Sequence, residues 1–375
     1  ATVIHVESES KMDIYRVTPP YKAQKPGINR SLLFGNFQAG KYGLALNMKH
    51  PKRAAEILRE LVAWADVMVD SRTPGVLEKW GFGYDQLTKI NPGIILARLT
   101  NQGLEGPWAS HPAYGTQIIG QAGMIGVLGW PDRDPLMFGR ATYADIVASS
   151  LFTTYLLEAI LHRQNTGKGQ HLDVSMVECC LTFLGTALLD YTVNGREIGR
   201  MGNRRPDAAP HGAYPCSGSD KWCAIAVFSD SEWGLLCAAM GQPGLARDPR
   251  FATLAARKAN EDELDRLVGA WTSTLAAREV MTTLQAAGVA AGAVQDFQEV
   301  REDPQLKLRG HFGTVPHSEM GSHTVFGFPY LLSETPCAPP MGAPCLGEHN
   351  EYVICQLLGH SDEEFMEMYN EGVFR

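Results

Sequence analysis

Residues 66–100 read DVMVDSRTPGVLEKWGFGYDQLTKINPGIILARLT, and their order sets the fold class. Residues 67–69 are a compact β-favouring run, and IILARL at 94–99 is another. Between them come a Pro-Gly turn at 71–75 and a short helical opening at 75–80. Strand, turn, helix, strand is the signature of parallel neighbours, which need a crossover between them. Moving outward, residues 51–64 carry Ala54, Ile57, Leu58, Leu61 and Val62 at the spacing of an amphipathic helix. Pro51 suits the first turn of that helix, where its missing N–H is not needed. Residues 2–6 and 44–48 are two more short strand candidates. The first hundred residues therefore alternate strand and helix, which predicts an α/β layer with a largely parallel sheet. Ligands sit at the carboxyl ends of such strands, so the loops 70–74 and 100–107 are candidate ligand loops.

The rest of the chain is less regular at first. Residues 8–29 are polar, with Pro19, Pro20 and Pro26, and read as an irregular loop. Gly115, Gly120, Gly123, Gly126 and Gly129 punctuate an apolar stretch, but not as G-x-G-x-x-G after a strand. No dinucleotide fingerprint is read there. A long apolar helix runs from Asp145 to His162, followed by a basic, glycine-bearing turn at 165–170 and a strand-like segment at 171–176. Another apolar helix covers 178–191. Residues 195–215 are rich in Gly, Arg and Pro and read as a connection between domains. Strands at 222–228 and 289–294, with helices at 231–240, 262–271 and 277–287, suggest a smaller α+β domain. Residues 326–344 are loop-like, and helices at 352–358 and 361–369 close the chain. The expected layout is a large domain at 1–194, a linker at 195–215, a small domain at 216–313, a linker at 314–344 and a helical return to the large domain at 345–375.

Composition excludes some functions. With 375 residues and a net charge of −8, general nucleic-acid binding is not expected, although a local basic pocket for a phosphorylated small molecule is. The eight cysteines form no C-x-x-C pair and no zinc-like spacing, so no metal site is expected. They read as reduced thiols in a cytoplasmic protein. No apolar run is expected to span a membrane: residues 151–161 are too short, and Glu158 interrupts them. No signal peptide is read. Residue 1 is Ala and strand-like sequence begins at once, so the chain is expected to have been processed or to lack its true N-terminus.

Asp145, at the mouth of the long apolar helix, has two readings. As a cap, its side chain would accept a backbone N–H in the first helical turn. As a nucleophile, it needs no base, because aspartate is ionised at neutral pH and the helix start favours that charge. A carboxylate nucleophile suits acyl transfer between carboxylates, because the anhydride it forms stays reactive. Position alone favours the cap.

Several stretches bear on the choice. Residues 66–70 (DVMVD), 74–84 (PGVLEKWGFGY) and 90–95 (INPGII) come first, then TGKGQ at 166–170 and DVSM at 173–176. Gly202-Asn203, DPRF at 248–251 and the run 288–294 follow, then Ala343-Pro344, LGEH at 346–349 and LLG at 357–359. Each is weak alone, but as an ordered set along nearly the whole chain they resemble the family III CoA-transferases, the group of formyl-CoA transferase and L-carnitine CoA-transferase. The resemblance implies a Rossmann-like large domain with a parallel sheet, a smaller α+β domain and an interlocked-ring homodimer. It implies CoA and acyl-CoA as substrates, a small carboxylic acid as acceptor and no covalently bound cofactor. Asp145 matches the family's catalytic aspartate, which would work through an aspartyl anhydride and an aspartyl-CoA thioester.

The resemblance also assigns CoA contacts. Leu46 and Lys49 fall where the family meets the nucleotide, and Lys79 and Trp80 match a basic-apolar pair near adenine and phosphates. Ser71, Arg72 and Thr73 stand where the family usually has Asn, an aromatic and a basic residue. Tyr114 matches a tyrosine near the active site, and Gly115 replaces the Glu of formyl-CoA transferase. The glycine-run loop of that enzyme has no counterpart after Tyr214, and the family's opening strand and Ala-Gly-Pro-type loop lie ahead of the strand matched by residues 2–7. Two other readings share the fold. An α-methylacyl-CoA racemase-like enzyme would need a His-Asp pair where this chain has Ala113-Tyr114-Gly115. A non-catalytic CoA-binding paralogue would keep the fold without the chemistry.

Overall fold

The parallel ladder expected from residues 66–100 is present in the computed structural model, which describes residues 1–47, 50–137, 143–336 and 341–374. Contacts gather the chain into two units. The first holds residues 1–99, 153–173 and 300–375, and the second holds residues 100–152 and 174–299. This division cuts through residues 1–194, which the sequence reading treats as one domain.

In the first unit, β1 (Ile4–Glu7) and β2 (Tyr42–Ala45) pair in parallel with Val6 opposite Leu44. β3 (Val67–Asp70) and β4 (Ile95–Thr100) also pair in parallel, with Val67 opposite Ile95 and Asp70 opposite Arg98. β5 (His171–Ser175) is the other neighbour of β4. Helix Pro51–Trp64 connects β2 to β3, with its proline in the first turn as expected. Its apolar stripe serves two cores. Ala54, Ile57 and Leu61 pack with Leu44, Leu46, Val353 and Ile354. Val62 packs with Leu77, Phe82, Leu87, Ile94 and Leu96. Each buried Val, Leu, Ile or Phe here contributes roughly 1.5–3 kcal/mol by leaving water.

The end of the chain returns to its beginning within this unit. Gly43 N–H donates to His349 Nδ1 at 3.1 Å and Ala45 N–H to Asn350 Oδ1 at 2.9 Å. Asn47 N–H donates to the Val373 carbonyl at 2.7 Å. Arg16, fully buried, bridges Glu7 at 2.5 Å and donates to the Pro344 carbonyl at 3.1 Å. The closing helices are Tyr352–Leu357, of π type, and Asp362–Asn370.

The second unit contains an antiparallel sheet of β6 (His211–Pro215), β7 (Trp222–Ala226) and β8 (Ala290–Val294). Helices Asp230–Ala239, Glu261–Thr272 and Ala277–Ala286 supply Trp233, Leu264, Val268, Val280 and Leu284 to one apolar core. The first of these helices opens on a reciprocal cap, Ser229 with Glu232. Two stretches read as linkers carry strands. β6 falls within 195–215, and β9 (Phe312–Val315) with β10 (His323–Phe326) forms a hairpin that enters 314–344.

One expectation needs correction. The apolar run judged too short to span a membrane belongs to a longer helix. It spans Tyr143–Thr166, and it and the stretch Met176–Asn194 are long and apolar enough, by length and composition, to cross a membrane. Core helices of soluble proteins meet the same measure.

Candidate functional site

The loop after β3 is built by its own sequence. Thr73, Pro74, Gly75 and Val76 make a turn closed by Val76 N–H to the Thr73 carbonyl at 3.3 Å. Gly75 has φ +85°, the left-handed value a type II turn requires after proline. The turn delivers the chain into the short helix Val76–Lys79, which ends at Trp80. Ser71, Thr73, Lys79 and Trp80 are exposed and Arg72 is half-buried, so five of the assigned CoA contacts are brought together at the carboxyl end of a parallel strand. The Arg72 guanidinium lies over the Trp80 ring at 4.8 Å and donates to Asp70 Oδ1 at 3.0 Å.

Beneath this loop lies an ion network that the sequence reading did not single out. Parallel pairing sets Asp70 beside Arg98, and both side chains are buried. Arg98 Nε meets Asp70 Oδ2 at 3.2 Å, and its Nη1 donates to Glu78 Oε1 at 2.8 Å. The signal available was an arginine within the otherwise apolar run IILARL. Two charges in such a place require partners.

Leu46 is fully buried among Leu44, Ile57 and Val353, so its side chain belongs to the core and presents no surface to a ligand. Lys49 lies outside the described residues. Tyr114 is 77% exposed in the second unit, where Gln117 Oε1 accepts its backbone N–H at 3.0 Å and begins the helix Gly115–Gln121. Asn101 supports the preceding loop by donating to the Ala113 carbonyl at 3.0 Å, and its own carbonyl accepts Val177 N–H at 3.1 Å.

Asp145 also belongs to the second unit. It is the third residue of helix Tyr143–Thr166, within the first turn, and is half-buried. An N-cap residue precedes its helix, so the N-cap role weighed from sequence is not the one the structure gives it. The first-turn position retains the favourable field of the helix start. Among the described residues its carboxylate has no ion-pair partner. Nearby is Cys180, whose thiol is pushed up to about 11 by burial first, then by Cys179 and by the Asp145 charge. Cys180 therefore stays a neutral thiol at pH 7 beside that carboxylate.

Residues 1–350 match the model of CoA-transferase family III. A succinyl-CoA–D-citramalate CoA-transferase of Chloroflexus aurantiacus is 31% identical over 97% of this chain and 89% of its own length. A formyl-CoA:oxalate CoA-transferase of Streptomyces coelicolor is 33% identical over 92% of this chain and 86% of its own. Among solved structures, a CAIB/BAIF family protein from Brucella suis superposes with a TM-score of 0.85 at 30% identity, covering 95% of this chain and 92% of that one.

Proposed function

Because this chain belongs to CoA-transferase family III, we propose that it moves CoA from an acyl-CoA thioester to a small carboxylic acid, with Asp145 as the nucleophile. The observation that carries this is the half-buried Asp145 carboxylate in the first turn of helix Tyr143–Thr166, without an ion-pair partner among the described residues. A carboxylate tied up in a salt bridge would be a poor nucleophile. In the proposed sequence, Asp145 attacks the thioester carbonyl carbon, the C–S bond breaks, and CoA leaves as thiolate. The thiolate then attacks the Asp145 acyl carbon of the mixed anhydride, releasing the donor acid and leaving an aspartyl-CoA thioester. The acceptor carboxylate attacks that thioester, forms a new anhydride, and CoA thiolate takes the acceptor's acyl group. Asp145 is regenerated. One thioester replaces another, so little free energy is lost.

Ser71, Arg72, Thr73, Lys79 and Trp80 would hold the nucleotide end of CoA, since exposed cations and an open indole suit phosphates and a purine. The names of the relatives make small di-acids the first acceptors to assay. All seven cysteines among the described residues are free thiols, which fits a reducing compartment, and we place the protein in the cytoplasm. We also propose an interlocked homodimer, supported by the apolar faces this chain leaves in water.

The deciding experiment is hydroxylamine trapping. The enzyme incubated with an acyl-CoA and then hydroxylamine should carry a hydroxamate at Asp145, found by peptide mass spectrometry. Asp145→Ala should lower kcat by at least about a thousandfold, the scale of losing a covalent nucleophile. Turnover surviving in Asp145→Ala would remove the proposal. Wild-type protein that binds CoA without transferring it would favour the non-catalytic reading.

A further inference from the structure

The ion network under the β3 loop has an arrangement that bears on how CoA is gripped. Asp70 is shared by two guanidiniums, Arg98 Nε at 3.2 Å from below and Arg72 Nη1 at 3.0 Å from the loop. Glu78 takes another arm of Arg98 at 2.8 Å. Asp70 and Arg98 are buried, whereas the Arg72 side chain is 39% exposed. Asp70 and Glu78 together balance the buried Arg98, and Asp70 holds Arg72 by one arm only, so the partly exposed guanidinium of Arg72 can still face solvent or a ligand. Its position is also held, because its Cζ lies over the Trp80 ring at 4.8 Å. With Nη1 committed to Asp70, its Nε and Nη2 donors have no partner among the described residues.

We infer that Asp70 and Arg98 are positioning residues that hold Arg72, over the Trp80 ring, as the phosphate-gripping residue of the CoA loop. The inference rests on the proposed CoA site. It departs from what the family pattern suggests for this loop, where the base stands one place later and this chain has Thr73. Here the cation of the loop stands at residue 72, and buried charges hold a side chain that would otherwise sample many rotamers. Order set in advance lowers the entropy lost on binding. A guanidinium suits the task better than an ammonium, since only its planar fork can stack, bridge a carboxylate and still offer donors to a phosphate.

The test uses the intact protein and measures binding directly, so it does not depend on turnover. Calorimetry would give Kd for CoA and for pantetheine, which carries no phosphate. Arg72→Gln should weaken CoA about tenfold, the scale of one charge-assisted contact, and leave pantetheine unchanged. Arg72→Lys should recover only part of the loss. Asp70→Asn keeps the shape but removes the charge, and should match Arg72→Gln. The double variant Asp70→Asn/Arg72→Gln should bind no worse than Arg72→Gln alone, because Asp70 acts through Arg72. Additive losses in the double variant, equal losses for both ligands, or full CoA binding by Arg72→Gln would each overturn the inference while leaving the CoA site itself standing. Arg72 is partly exposed, so its variants keep the test decisive even if Asp70→Asn folds poorly. Wild-type protein that binds no CoA would overturn the inference together with the reading on which it rests.

Discussion

Cys180 and Asp145 show how much a single position owes to its surroundings. Cys180, Cys223 and Cys237 have no exposed surface, and burial as the first cause pushes each thiol from 9.0 up to about 11. In the unfolded chain the same thiols ionise near their ordinary value. Between about pH 9 and pH 11 the folded state therefore holds more protons than the unfolded one, and stability falls as pH rises through that window. We expect the urea midpoint to drop from pH 8 to pH 10, and native protein at pH 8 to leave these three thiols unmodified by iodoacetamide. None of this is visible in a sequence with scattered cysteines, because burial is set by distant partners. Asp145 was easier to find. An acid at the mouth of an apolar helix stands out, but whether it lies before the first turn or within it depends on where the helix starts. Sequence fixes such boundaries poorly. Arg98 lay in plain view in a strand, yet its partner Asp70 follows only from the parallel register.

Elements with a strong local signal were readable. Helix Pro51–Trp64, β3 and β4 lie where periodicity and punctuation place them. The second glycine of TGKGQ gains a physical reason. Gly169 runs so close to residues 93–94 that a Cβ there would overlap the Ile94 carbonyl, and Leu96 N–H reaches the Gln170 carbonyl at 3.0 Å. Gly169→Ala must push β5 away from β4, and we expect a cost of about 2 kcal/mol or more, read as a lowered Tm. Elements without a strong local signal were missed. HGAYP at 211–215 has a glycine, a proline and little β-branching, and is a strand because β7 pairs with it. The hairpin of β9 and β10 likewise depends on its own cross-strand register, His323 opposite Val315, within a stretch that reads as linker.

At the scale of the whole molecule, the surfaces this chain leaves bare carry the argument. Helix Gly185–Asn194 exposes Leu189 and Val193 at 63% and 76%, and after β10 Leu331 is exposed at 69%. Apolar faces of this kind suit the interface of the proposed dimer. We expect sedimentation velocity to find a dimer with no folded monomer down to nanomolar concentration, and Val193→Asp to reduce the yield of assembled protein. A stable folded monomer would count against the interlocked arrangement. The grouping of residues into two units was not readable, because it is made by contacts between segments far apart in the chain. The return of residues 349–374 to β1 and β2 carries a cost in time. Those strands find hydrogen-bond and core partners in His349, Asn350, Val373 and Phe374, some 305 residues away along the chain for Ala45 and Asn350. Contacts between segments so distant close slowly, so this part of the first unit is expected to be completed late in folding.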